Sequence, residues 1–286
     1  MSRARTRSER RAILVLESPW ALDDSDSNRS SVRPFVEGMA KIEPDVDVFS
    51  ANFYDKSSFR LALESLCKVR FDNAIVYVAA HGHPGTIGGV KITDAMFMIG
   101  EAAKKHGITG LMLGSCFVGG DTVKLEVFIE GTGLRWAAGY SSSCNWLEGT
   151  LVDCNIMAKM LHLDSELLSE KDEMIEQLAS ATALFAEDYE IGEDLNEETV
   201  LLRDSLEFVI QPSGSGKRAK RVTDEVFALN APEEEEHVDE EEEEDAEEDP
   251  TARSRAADPG ISVADDLFHL ISTKVTSLAP HVDVVF

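Results

Sequence analysis

No run of about 20 consecutive apolar residues occurs in this 286-residue chain, so no helix able to cross a bilayer is expected. Cysteine is scarce. The four present (Cys67, Cys116, Cys144 and Cys154) sit in or beside apolar segments with no disulfide-framework or C-x-x-C spacing. That pattern excludes a disulfide scaffold or a zinc ribbon and fits reduced thiols in a cytoplasmic protein. Basic charge is scarce as well: 27 Lys and Arg stand against 54 Asp and Glu. Of those acids, 14 lie between Glu233 and Asp249 with no basic residue among them, and setting them aside moves the net charge from −27 to −13. An acidic body repels nucleic acid and anionic membrane, so direct capture of either is not expected. The arginines at 3, 5, 7, 10 and 11 are followed by no cleavable apolar region, and residues 1–11 read as a basic, solvated lead-in. No internal repeat is present.

What the chain does have is an alternation of strand-like and helix-like segments. Ala12–Leu16, Ala74–Val78 and Thr109–Leu113 are short continuous apolar runs, the composition of strands buried on both faces. Val46–Phe53, Leu134–Tyr140 and Leu206–Ile210 read as further strands. Helical stretches are predicted over Ser31–Ile42, from Ser57 or Ser58 with Leu61, Leu63, Leu66 and Val69 inward, over Asp94–His106 with Gly107 as the stop, over Leu147–Leu163 and over Glu170–Tyr189. Gly85–Thr93 reads as a small hairpin. This βαβα order implies an α/β three-layer sandwich around a mainly parallel sheet, filling residues 12–211. Pro212 to Gly216 then marks a boundary. Residues 212–262 read as a disordered linker, basic and then acidic, and 263–286 as a short amphipathic segment.

In such sheets, sites gather beyond the carboxyl ends of the strands. His81 and Cys116 each follow an apolar strand run immediately, at Val78-Ala79-Ala80-His81-Gly82 and Leu111-Met112-Leu113-Gly114-Ser115-Cys116. A thiol attacks carbonyls as its thiolate, and an imidazole beside it lowers its pKa and later protonates the leaving amine. Gly82 permits close approach of a substrate backbone, and the backbone N–H groups of Gly82 and Cys116 are candidates for an oxyanion hole. Separately, each residue has a duller reading: a cysteine at a strand end as a buried hydrophobe, a His-Gly as a turn. A zinc site from His81, His83 and Cys116 lacks a fourth ligand, and no metal or other cofactor is expected. Gly214-Ser215-Gly216-Lys217 is not a P-loop, since Gln211 stands where the first glycine belongs and Arg218 replaces Ser/Thr.

The order of apolar strand, His-Gly, hairpin, helix, apolar strand and Ser-Cys resembles the caspase-like (clan CD) cysteine peptidases, nearest in appearance to bacterial CHAT and metacaspase-type members. Ala137-Ala138-Gly139-Tyr140, with Trp146 beyond it, resembles the strand and substrate-lining loop that follow the catalytic cysteine there. The resemblance implies a Cys-His dyad, with Cys116 as nucleophile, His81 as general base and acid, and Gly82 and Cys116 as oxyanion donors. It also implies a regulated endopeptidase of a bacterial signalling or defence pathway. His83 competes with His81, which is favoured because it directly precedes the glycine. Phe117-Val118-Gly119-Gly120-Asp121 departs from the common Cys-His-Ser and Cys-Arg-Gly forms, and Asn145 stands where an acid often precedes the tryptophan.

Asp121, Cys144, Asn145 and Trp146 are the expected substrate-binding residues. Asp121, Glu148 and Asp153 lie close in sequence to those segments, and their sign gives a weak preference for a basic residue before the scissile bond. Lys217, Arg218, Lys220 and Arg221 then form a candidate self-processing site. The acidic tail and the terminal segment are candidate docking elements for a regulatory protein. The alternative is a catalytically inactive adaptor of the same fold, acting through those two elements.

Overall fold

The computed structural model describes residues 9–20, 31–43, 45–186, 188–214 and 216–230. Its elements run β1 (Arg11–Glu17), α1 (Arg33–Ile42), β2 (Val46–Asn52), α2 (Lys56–Leu66), β3 (Asn73–Ala79), β4 (Gly82–His83), β5 (Thr86–Ile87), β6 (Val90–Lys91), α3 (Ile92–His106), β7 (Ile108–Gly114), α4 (Thr122–Ile129), β8 (Trp136–Tyr140) and α5 (Trp146–His162). A short 3₁₀ turn (Leu167–Ser169) leads into α6 (Lys171–Thr182), β9 (Glu190–Glu193), β10 (Thr199–Leu201), α7 (Leu202–Ser205), β11 (Leu206–Ile210), β12 (Lys220–Arg221) and α8 (Thr223–Ala228).

The central sheet has seven strands in the order β12-β11-β8-β7-β3-β1-β2. From β2 across to β8 every pairing is parallel, while β11 is antiparallel to β8 and β12 antiparallel to β11. Period-two geometry explains the apolar runs. In β1, Ala12, Leu14 and Leu16 enter one core and Ile13 and Val15 the other, and β3 divides in the same way. One core is closed by α2, α3 and α4, the other by α1, α5, α6 and α8. The fold is thus α/β in three layers. Gly107 ends α3 at φ 71°, and a side chain there would run into the Phe71 backbone. Among the described residues no helix is long and apolar enough to cross a membrane.

Several boundaries differ from expectation. The N-cap of α2 is Asp55, with Ser58 as the reciprocal partner in a capping box. Leu61 faces solvent, and Phe59, Ala62, Leu63 and Leu66 make the buried face instead. Gly85–Thr93 is part of a three-stranded sheet of two-residue strands, β4 to β6, and Ile92 already opens α3. Helix α6 stops at Thr182 rather than Tyr189. Side chains from outside take its last carbonyls, Asn230 Nδ2 on Ala179 at 3.0 Å and Asn155 Nδ2 on Ala181. The lead-in ends inside the sheet, since Arg11 opens β1 and pairs with Glu9 and Asp164.

The largest correction concerns the assigned linker. Lys220 and Arg221 form β12 on the sheet edge, and α8 follows with Val226 fully buried. Beside the buried Val222 and Val226, the segment is tied down by Arg221. Its guanidinium meets both Glu207 oxygens, at 2.7 and 3.3 Å, and Asp224 at 2.6 Å, which raises its pKa. The remainder of the linker and the amphipathic segment, 231–286, lie outside the described residues.

Candidate active site

The site forms where β3 and β7 end side by side. Ala79 stands opposite Gly114 in their parallel register, so His81 and Cys116 each leave the sheet two residues later at the same edge. Gly82 lies on the Cys116 backbone: a Cβ there would sit 2.7 Å from Cys116 N and closer still to its carbonyl oxygen. Only glycine allows this approach. Between the two strand ends, Ser115 is buried and its Oγ accepts from Ala80 N at 3.3 Å.

His81 is exposed, and its Nε2 lies 2.7 Å from the Trp20 carbonyl, with the two rings edge to face at 4.9 Å. A carbonyl only accepts, so Nε2 carries the hydrogen and Nδ1 is the basic nitrogen of the neutral ring. His83 is exposed in the β4–β5 hairpin, paired with Thr86.

Cys116 is half-buried, and burial pushes its thiol pKa up; the backbone N–H of Cys144, 3.3 Å from Sγ, and its own N–H oppose the shift. The next residue, Phe117, has φ 61°, a strained conformation for a bulky side chain, held by Phe117 N donating to Ser142 O at 2.9 Å. Gly119 then donates to Tyr140 O at 2.7 Å and packs so closely on β8 that a Cβ would meet Tyr140 N at 2.6 Å. The unusual glycines after the cysteine are therefore spacing elements against β8.

Cys144 and Asn145 belong to one wall of a narrow, open cleft that also includes Cys116, Trp146, Trp20 and Asp153. The wall is fixed from behind. Ser143 N and Asn145 N donate to Glu193 O and Ile191 O, each at 2.8 Å, and Ser142 Oγ meets Ser205 Oγ at 2.6 Å. Cys144, Asn145 and Trp146 line the same cleft as Cys116. Asp121 does not: it caps α4, accepting from Lys124 N at 3.0 Å, and its carboxylate is paired with Lys124 Nζ at 2.5 Å.

At the inner end of the cleft is a group that the sequence placed only loosely. Asp153 of α5 is 2% exposed, with one carboxylate oxygen on Tyr77 OH and the other on Tyr140 OH, both at 2.7 Å. Burial raises its pKa to about 7, and the two tyrosine bonds hold it from rising further. Gly114 makes room for the cluster, since a Cβ there would lie 2.8 Å from Tyr77 OH. Trp20 was missed entirely, as was the hairpin β9–β10. The indole N–H groups of Trp20 and Trp146 find no acceptor among the described residues. No group of three His, Cys, Asp or Glu among the described residues is placed to hold a metal ion.

Of the candidate processing residues, Lys220 and Arg221 are paired into the fold, Lys220 with Glu225 at 2.6 Å. Lys217 and Arg218 remain in an exposed connection.

No protein-family model matches the chain, and no curated protein matches its sequence. Among solved structures, the X-ray structure of a secreted C11 cysteine protease from Bacteroides thetaiotaomicron, iotapain, is similar at 10% sequence identity and a TM-score of 0.44. The match covers 60% of this chain and 61% of that one, so the chain spans less than two thirds of that protein's length.

Proposed function

We propose that the chain is a caspase-like cysteine endopeptidase cleaving protein substrates through Cys116 and His81. The observation that carries this reading is their juxtaposition: adjacent parallel strands release both residues at one edge, with Gly82 against the Cys116 backbone. Because burial favours the protonated thiol, the resting site holds Cys116 as SH and needs a base when substrate arrives. In this reading His81 Nδ1 takes the proton as sulfur attacks the scissile carbonyl carbon. The Gly82 and Cys116 N–H groups face the resulting oxyanion. The imidazolium then protonates the leaving amine, and water, deprotonated by His81, releases the acid from the thioester.

The Trp20 carbonyl is a positioning group, fixing the tautomer this sequence of proton transfers requires. The charge of the cleft supports a basic residue before the scissile bond, since Asp153 is its one ionisable carboxylate and no Lys or Arg is among its described lining. Regulation, self-processing at Lys217 or Arg218 and a signalling or defence role belong to this proposal. The adaptor alternative rests on residues 231–286.

Peptide acyloxymethyl ketones carrying Arg, Lys or Asp at the terminal position test the proposal on the full chain and on Cys116→Ala. Labelling that prefers Arg or Lys and vanishes in Cys116→Ala is expected. Labelling indifferent to Cys116→Ala, or none with any probe, overturns the peptidase in favour of the adaptor.

A further inference from the structure

We infer that Glu17 is a positioning residue of the site: it anchors the exit of β1 that carries Trp20, and through the Trp20 carbonyl it fixes the His81 ring. This deepens the peptidase reading and rests on it for what the ring does. Three strand ends lie in one row, because Glu17 stands opposite Ala79 and Ala79 opposite Gly114. His81 and Cys116 each follow their strand end by two residues, and Trp20 follows Glu17 by three. The third strand end thus supplies the third member of the site. Among the described residues, the hydrogen bond and the ring contact of the imidazole both come from Trp20, its carbonyl at 2.7 Å and its indole edge to face. The His81 main chain is held separately, by Gly88 N donating to its carbonyl at 2.8 Å. The ring is therefore no better placed than Trp20 is.

What holds Trp20 is the end of β1. Period-two geometry puts Glu17 on the face that Ile13 and Val15 occupy, the face covered by α1. A carboxylate there is costly unless it is bonded. Glu17 is 8% exposed and bonded at both oxygens: Oε1 accepts from Val32 N and Oε2 from Ser31 Oγ, each at 2.8 Å. Ser31 Oγ in turn accepts from Arg33 N at 3.2 Å. Val32 is the N-cap residue of α1 and makes no side-chain cap bond, so the strand supplies an acceptor to the start of the helix. Main-chain bonds complete the anchor, with Ser18 N donating to Ala79 O at 3.0 Å and Phe53 N to Glu17 O at 2.9 Å. The carboxylate thereby ties the start of α1 to the end of β1. Trp20 and Val32, on either side of the tie, line the same cleft as Cys116.

Release of the tie frees the Trp20 carbonyl to move relative to His81, and the neutral ring then exchanges between its two tautomers. In the form with hydrogen on Nδ1, that atom has no lone pair for the thiol proton. Loss of the tie therefore lowers the fraction of chains able to deprotonate Cys116 while the thiol itself is untouched. Geometry decides the effect rather than charge alone. Glutamine keeps an oxygen for Val32 N and an N–H for Ser31 Oγ. Methionine has the length but no comparable acceptor, and aspartate keeps the charge but is one methylene too short to meet both partners.

The test reads the ring directly. In the full-length Cys116→Ala chain with nitrogen-15-labelled histidine, NMR at pH 8, where an ordinary imidazole is neutral, reports which His81 nitrogen carries hydrogen, and His81→Gln assigns the signal. Expected are one tautomer, with hydrogen on Nε2, in that chain and in its Glu17→Gln variant, and a mixture in Glu17→Met and Glu17→Asp. With Cys116 in place, acyloxymethyl ketone labelling per folded molecule should fall about tenfold or more in Glu17→Met and recover most of its rate in Glu17→Gln. A folded Glu17→Met chain that keeps the single tautomer, or labels as fast as the parent, overturns the proposal. Should Glu17→Met fail to fold, Ser31→Ala, which removes one of the two donors, decides it by the same signal: a mixture supports the tie and a single tautomer overturns it. A mixture in Glu17→Met without Cys116-dependent labelling of the parent chain keeps Glu17 as the anchor of the ring and removes the peptidase. Labelling that ignores Glu17→Met does the reverse.

Discussion

The mouth and the floor of the cleft are built on opposite principles. At the mouth, His81 stands in solvent, tied by one hydrogen bond to a backbone carbonyl, and its partner thiol is set by backbone contacts through Gly82 and Cys144. At the floor, Asp153 is out of water and both its oxygens are bonded by buried phenols from two strands. Groups that exchange protons and products need access and freedom to move. A buried carboxyl must instead be held rigid and hydrogen-bonded, because an unpaired charge out of water is costly. Damage at the mouth should therefore appear in reactivity, and damage at the floor in stability and its pH dependence.

That contrast can be broken most severely at Gly82. Gly82→Ala forces a methyl into the Cys116 backbone, and Cys116-dependent labelling should fall by roughly 100-fold or more, since a displacement of about 1 Å at a reacting group costs that much. Gly38→Ala, on a helix with open space around it, should leave labelling unchanged. A labelled Gly82→Ala chain with parental kinetics would show that the two strand ends do not act together.

Next is Tyr140→Phe or Tyr77→Phe, each of which strips one donor from Asp153 and should cost about 1–3 kcal/mol in urea unfolding at pH 8. The sign of the pH effect follows from burial. Asp153 has its pKa raised from 3.8 to about 7, so the folded state holds its proton longer than the unfolded chain does. Its contribution is most favourable below pH 4, declines as pH rises toward 7 and is flat above. The cost of either phenylalanine variant should accordingly shrink at pH 5, and Asp153→Asn should remove this part of the slope. A cost equal at both pH values would mean that the hydroxyls serve packing alone.

The smallest effect belongs far from the cleft. Arg221→Ala should cost about 1 kcal/mol, the scale of a partly exposed ion-pair network, and should open the β12 edge to trypsin. In the parent chain, limited proteolysis should cut after Lys217 or Arg218 before Lys220 or Arg221. Early cleavage at Arg221 would overturn the placement of this segment in the fold.

The mouth was legible in the sequence because its signal is local: an apolar run that ends in His-Gly, another that ends in Ser-Cys. The central strands were legible for the same reason. The floor was legible only in part: Asp153 stood out as one of three acids near the substrate segments, but Tyr77 and Tyr140 meet it only through the order of strands and each reads alone as an ordinary core residue. Trp20 contributes a backbone carbonyl, which any residue type supplies. Asp121 was misread because acidity near a site in sequence does not distinguish a pocket wall from a helix cap. The segment 183–201 keeps a helical apolar pattern as far as Phe185, while the carbonyls at the end of α6 are met by Asn155 and Asn230, residues well away in the chain. Lys220 and Arg221 looked solvated because the acids that pair them, Glu207, Asp224 and Glu225, were not expected to face a strand.

The wall at 142–145 has a directional grammar. Ser143 and Asn145 turn their N–H groups back to β9, and Cys144 turns its own forward to the thiol. An extended peptide lying along that forward edge would be sampled at every second position, with the residues between facing water. Preferences beyond the first residue would then be spaced two apart, and a library varied one position at a time should show an alternation of strict and indifferent sites.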